Sequence, residues 1–188
     1  MNADLIGVHL RASAVSFWLL TPSPPWDIME FIDQVAKRFT SRDETMPHCT
    51  MTHRNPLDDT ICRILSTSRR IAVVGLSDKP WRDSHRVASY LLGHGYDIVP
   101  VNPHLLDAMG IKSYPDLVSV PGPIDVINVF RRVEQIPQIV EQVLQVGAKA
   151  IWTQYGLTDE PSAEKARRAG LSVVMNRCIM VEHSLHFT

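Results

Sequence analysis

The sequence predicts a doubly wound α/β domain, a mostly parallel sheet with helices on both faces, preceded by an N-terminal extension. Three observations carry that prediction. Short apolar, largely β-branched runs recur at Ile71–Val74, Asp97–Val101, Asp125–Val129, Ala150–Thr153 and Leu171–Met175. Amphipathic helical patterns separate most of them. The runs are apolar at consecutive rather than alternate positions, which marks strands buried on both faces, as in a parallel sheet covered by helices.

The elements follow in order from residue 56. Asn55 can cap a helix, Pro56 suits its first turn, and Leu57, Ile61, Ile64 and Leu65 share one face. The first strand ends at Gly75, and a polar loop leads to Ser84, placed to cap the next helix. That helix turns Val87, Ala88, Leu91 and Leu92 inward and closes at Gly93 and Gly95. After the second strand, a linker with one short turn covers 103–123. The third strand leads to a helix over 133–146 with Ile136, Ile139, Val140, Val143 and Leu144 on its inner face, stopped by Gly147. The fourth strand is followed by a helix over 160–169 that stops at Gly170, and then by the fifth strand. These elements make one domain over 56–188.

Residues 1–55 have a different texture. They contain the Pro22-Ser-Pro-Pro25 break and a polar run from Thr40 to Asn55. Between them Trp26, Met29, Ile32, Val35, Ala36 and Phe39 recur at helical spacing, so this extension is either disordered or holds one helix over 26–39. Residues 12–20 resemble a short signal core, but only Arg11 among basic residues precedes them and no A-x-A site follows, so no leader is assigned. Met46 and Met51 are alternative start positions just ahead of the domain.

Composition narrows the function. The chain has 188 residues, 45% hydrophobic and 21% charged, with a net charge of −1. That balance opposes a duplex nucleic-acid binder, which needs a basic stripe. No apolar run approaches the ~18 to 20 residues of a membrane span. The three cysteines, Cys49, Cys62 and Cys178, are far apart and lack C-x-x-C spacing, so the expectation is a cytoplasmic protein with reduced thiols and no zinc site. His183 and His186 near the end have no evident third metal ligand.

In such sheets ligands bind beyond the carboxyl ends of the strands, near the switch point. The strand–glycine–loop–helix sequence from Ile71 to Ser84 suits a phosphate site, with Gly75 at the turn, Ser77 offering hydroxyl and N–H, and Lys79, Arg82 and Arg86 adding positive charge. It misses the dinucleotide fingerprint, because Ser77 and Pro80 stand where G-x-G-x-x-G has glycines. The second strand ends in Val101-Asn102-Pro103 with no acid to hold a ribose 2′-hydroxyl, which speaks against NAD. Its prolines make either a stiff shelf for a base or a loop that only shapes the fold. At the third strand's end, Phe130 and Arg131 stack on a base or pair with a phosphate, unless they serve as core and helix-start solvation. Gln154 is a better crevice residue than Trp152, and Cys178 suits a small buried hydrophobe better than a reactive thiol. No catalytic constellation is legible: Asp83 and His85 flank Ser84 without facing it, and no G-x-S-x-G is present.

Taken together, Ile71-Ala-Val-Val-Gly-Leu-Ser77 with Lys79-Pro80, Gly95-Tyr-Asp-Ile-Val-Pro-Val-Asn-Pro103, Asp125-Val-Ile-Asn-Val-Phe-Arg131, Ala150-Ile-Trp-Thr-Gln154 and Asn176-Arg-Cys178 resemble the stand-alone bacterial CoA-binding domain proteins. These are similar to the CoA-binding part of succinyl-CoA synthetase α subunits and ADP-forming acyl-CoA synthetases. The resemblance spans about residues 56 to 185. It implies a Rossmann-like fold with coenzyme A in the crevice. Ser77, Asp78, Lys79 and Pro80, with Gly75 and Arg82 around them, would meet the phosphates. Val101, Asn102, Pro103 and His104 would meet the adenosine side, and Phe130, Arg131 and Arg132 would border the nucleotide. The phosphohistidine domain and the ATP-grasp partner of the synthetases are not encoded here. The resemblance therefore implies a small-molecule ligand, CoA or an acyl-CoA, and a non-catalytic binding or regulatory module. Two other readings stand beside it: an NAD(P)-dependent oxidoreductase, and an interaction module with a vestigial nucleotide site.

Overall fold

A computed structural model describes Cys49 and residues 55–187, all within one compact unit, Thr45–Thr188. The expected helix over 26–39 and the signal-like run over 12–20 lie outside the described residues.

Helix α1 (Pro56–Thr67) starts as its sequence dictates. Asn55 Oδ1 accepts from the Leu57 and Asp58 amides at 2.9 and 3.0 Å, and Asp58 returns a bond to the Asn55 amide at 3.1 Å. That reciprocal pair satisfies amides that a helix start otherwise leaves orphaned. Strand β1 (Arg70–Val74), helix α2 (Asp83–Gly93) and strand β2 (Asp97–Val101) follow. The 103–123 linker holds a two-stranded hairpin that the sequence reading did not resolve, β3 (Asp107–Ala108) and β4 (Ile111–Lys112). Its Met109-Gly110 turn has φ of 59° and 72°, as a tight hairpin turn requires. Strand β5 (Val126–Val129), a 3-10 turn (Val133–Gln135), helix α3 (Ile136–Val146), strand β6 (Ala150–Thr153), helix α4 (Glu160–Arg168), strand β7 (Ser172–Val174) and helix α5 (Ile179–His186) complete the chain.

The main sheet has the order β2-β1-β5-β6-β7, and every neighbouring pair is parallel. Period-two alternation sends each strand's residues to two cores. Ile71, Val73, Ile98, Val126 and Trp152 pack with α1, α2 and α5, whereas Ala72, Val74, Val99, Ile127 and Ile151 pack with α3 and α4. Asp125 fastens the lower end of the sheet. Its carboxylate accepts from the Arg69 and Arg70 amides at 2.9 and 3.0 Å and pairs with Lys149 at 2.7 Å. Burial raises its pKa, but the Lys149 ammonium and the two amides outweigh that and hold it below the usual carboxylate range. Pro100 is tolerated because β2 is an edge strand.

Several expectations are corrected. Leu92 lies 36% exposed, outside the core. Ser84 does not cap α2; Arg82 occupies that position without a side-chain cap. The chain after Cys178 forms α5, which packs on α1 and α2. The cysteines are not all separate: Cys49 and Cys62 form a disulfide, and only Cys178 is free among the described residues. No helix of the described residues is long and apolar enough to cross a membrane.

Candidate functional site

The strand order reverses direction between β1 and β5, because the chain leaves β1 toward the α2 face and leaves β5 toward the α3 face. The two exits diverge there and open a crevice at the carboxyl ends. Gly75 makes the close approach possible. Its φ is +91°, and a Cβ at this position would lie 2.5 Å from the Phe130 carbonyl oxygen and 3.1 Å from Arg131 Nε. Any side chain here would drive the exits of β1 and β5 apart.

The loop beyond Gly75 is braced from within. The Ser77 amide donates to Ser84 Oγ at 3.1 Å, and the Lys79 amide donates to Ser77 Oγ at 3.2 Å. Ser84 therefore holds the loop to the first turn of α2 rather than capping the helix, and the Ser77 N–H is engaged inside the protein. The Ser77 hydroxyl hydrogen remains able to point outward. Asp78, Lys79, Pro80 and Arg82 are exposed. Arg86 pairs with Asp83 at 3.6 Å. The helix start adds the positive end of its dipole beneath this loop.

Asn102 is the hub of the site. Its Nδ2 donates to the Leu76 carbonyl at 2.8 Å, and its Oδ1 accepts from the His104 amide at 3.1 Å and from Arg131 Nη2 at 3.4 Å. One amide side chain thus ties together the exits of β1, β2 and β5. Beside it lies a cleft of about 210 Å³ lined by Val74, Val101, Pro103, His104 and Arg131, by Pro115 and Asp116 of the linker, and by Gln138, Ile139 and Gln142 of α3.

The site residues expected from the sequence fall into groups. Val101, Pro103, His104 and Arg131 line the cleft, Asn102 braces it, and Gly75 permits it. Ser77 through Arg82 form the exposed loop above α2. Phe130 is half-buried against the α1/α2/α5 core, and Arg132 is exposed ahead of the 3-10 turn. Gln154 does not line the cleft. It is buried, and its Nε2 donates to Asn128 Oδ1 at 2.6 Å. Trp152 is fully buried, with Nε1 donating to the Arg177 carbonyl at 2.7 Å.

Sequence reading missed the glutamines and the acid. Gln135, Gln138 and Gln142 recur at helical spacing around the start of α3, a signal that was present in the sequence. Asp116 comes from the irregular linker, where no periodicity announces it. The Ser119 hydroxyl and amide, at 2.7 and 2.8 Å, hold its carboxyl below the ordinary range. The strand end lacks an acid, but the folded cleft has one. Asn128 Nδ2 is buried and has no hydrogen-bond partner, on the strand that leads to Arg131.

A parallel sheet with a glycine crossing and a clamped polar hub at its switch point defines a doubly wound α/β protein with a crevice site at its strand ends. The chain belongs to the CoA binding domain family, whose profile matches residues 69–184. It is 44% identical over 132 residues to the uncharacterized protein YneT of Bacillus subtilis (strain 168), covering 70% of this chain and 98% of that protein. Among solved structures it is similar to a hypothetical protein from Pyrococcus horikoshii OT3, at 41% identity and a TM-score of 0.66, covering 76% of this chain and 96% of that one. A Thermus thermophilus protein, cell-free ID.343, is similar at 32% identity and a TM-score of 0.65, covering 68% of this chain and 96% of that one. This chain covers almost the whole length of each of these relatives.

Proposed function

We propose that this protein binds coenzyme A, free or acylated, in the crevice at the carboxyl ends of β1, β2 and β5, as a binding or regulatory module without catalysis of its own. The observation that carries this reading is the Asn102 hub. It holds the Gly75–Arg82 loop, the Val101–His104 shelf and Arg131 around one cleft, the three surfaces a nucleotide with several phosphates needs. Family membership supports the choice of CoA among such nucleotides. In this reading the loop and Arg131 face phosphates, and the Pro103 shelf takes the adenine. Gln138 offers its amide to the polar edge of the base or ribose, and Gln142 offers only its Nε2 donors, because its Oε1 accepts from the Leu117 amide at 3.3 Å.

Isothermal titration with CoA, NAD and ATP tests the proposal directly. CoA is expected to bind tightest, and absence of CoA affinity below the millimolar range would overturn it. Hydride transfer with NADPH would favour an oxidoreductase instead. Ser77→Glu sets a carboxylate on the phosphate loop and is expected to abolish CoA binding while the circular dichroism spectrum stays unchanged. Unaltered affinity in that variant would move the phosphates elsewhere.

A further inference from the structure

We propose that Cys49, Cys62 and His186 form a binding site for a soft divalent cation of the zinc class, separate from the CoA crevice. The three come from distant places in the chain: the segment before α1, the middle of α1 and the end of α5. Their donor atoms lie within 4.8 Å of one another. His186 Nδ1 is 3.4 Å from Cys62 Sγ and 3.8 Å from Cys49 Sγ. For zinc–sulfur and zinc–nitrogen bonds of about 2.3 and about 2.0 Å, a tetrahedral sulfur–nitrogen edge is about 3.5 Å. Both observed edges fall near that value before any metal is added.

The third edge differs: the two sulfurs are bonded to each other here and must separate to about 3.8 Å for both to ligate one metal. The surroundings match a ligand set as the two sulfur–nitrogen edges do. Cys62 and His186 are buried, at 4% and 1% exposure. The other ring nitrogen, Nε2, lies 3.4 Å from Glu182 Oε2, one helical turn earlier on α5. Glu182 is itself 3% exposed and is fixed by Arg177 Nη1 at 3.1 Å. A buried carboxylate behind the imidazole favours the proton on Nε2 and turns the Nδ1 lone pair toward the two sulfurs. This carboxylate–histidine arrangement is the usual support for a metal-bound imidazole.

Two thiolates and one neutral imidazole balance a dication, and water completes the tetrahedron. Binding releases two thiol protons to solvent and changes no oxidation state: two S–H bonds break and two metal–sulfur bonds form. The disulfide seen between Cys49 and Cys62 is the oxidised alternative of the same pair. It forms when the unmetallated thiols give two electrons and their two protons to an oxidant such as a small-molecule disulfide, which leaves as two thiols, and metal occupancy blocks that route.

The test uses the full chain, purified with a phosphine reductant and dialysed against zinc, with metal measured by elemental analysis. One equivalent of zinc per chain is expected. Replacement by cobalt(II) is expected to produce a thiolate-to-metal charge-transfer band and the visible bands of tetrahedral cobalt. Cys62→Ser and His186→Ala are each expected to lower affinity at least tenfold, and Glu182→Gln by about tenfold, while Cys178→Ser leaves one equivalent. Should Cys62→Ser fail to fold, the cobalt spectrum of the unmodified chain still decides. A reduced chain that takes up less than a tenth of an equivalent and shows no thiolate band would overturn the proposal, as would full zinc retention by both ligand variants.

Discussion

Gly75 and Asn102 bear the site's geometry. Gly75→Ala forces a left-handed backbone on a Cβ-bearing residue and drives its methyl into the Phe130 carbonyl. A loss of roughly 2–4 kcal/mol is expected from strain and overpacking together, read as a lower urea midpoint with an unchanged slope. Asn102→Ala leaves the Leu76 carbonyl and the Arg131 guanidinium without their shared partner. CoA affinity is expected to fall about tenfold, equivalent to about 1.4 kcal/mol, while stability changes by no more than about 1–2 kcal/mol. A calorimetric titration that finds equal affinity in this variant would deny Asn102 its organising role.

Helix α5 carries a separate consequence. His183 is buried among Tyr90, His94, Tyr96 and Phe187, and its Nδ1 meets the Tyr90 hydroxyl at 3.0 Å. Burial, helped by the neighbouring His94, lowers its pKa to about 4. The unfolded chain therefore binds this proton more readily than the folded one. The contribution is complete above the ordinary histidine pKa of about 6.5, and stability falls as pH drops from there toward about 4. Asp125 acts lower, because its depressed carboxyl releases stability only as it protonates in more acidic solution. His183→Phe is expected to flatten the melting temperature between the histidine's two pKa values and to leave the more acidic decline in place. Thermal melts across that range check it. A decline of the same steepness in the variant would assign the effect to other groups.

For the molecule taken whole, ligand binding and folding are linked. CoA at a hundred times its dissociation constant is expected to add about 2.7 kcal/mol to the folding free energy. In a domain of this size that raises the melting temperature by several degrees. Thermal-shift measurements with CoA and NAD at equal concentration read the difference. A larger rise with NAD would favour the oxidoreductase, and no rise with any nucleotide would favour an interaction module.

Strand and helix identities were legible because they rest on local periodicity and punctuation. Asp97–Val101 and Ala150–Thr153 stand where the apolar runs place them, and α3 ends at Gly147, whose φ is 68°. The site was legible only in outline. Val101, Asn102, Pro103 and Arg131 converge as strand ends of a parallel sheet must, but Gln154 turned inward to Asn128. No local pattern could announce that choice, because which of two polar strand-end residues meets the cleft depends on the face it occupies. Asp116 reached the cleft through an irregular linker, and Cys49 reached Cys62 and His186 across separations of 13 and 137 residues. Periodicity and turn chemistry act over a few neighbours, so they specify elements and their order. Contacts between donors far apart in the chain are set by how those elements pack, and packing is a property of the closed fold.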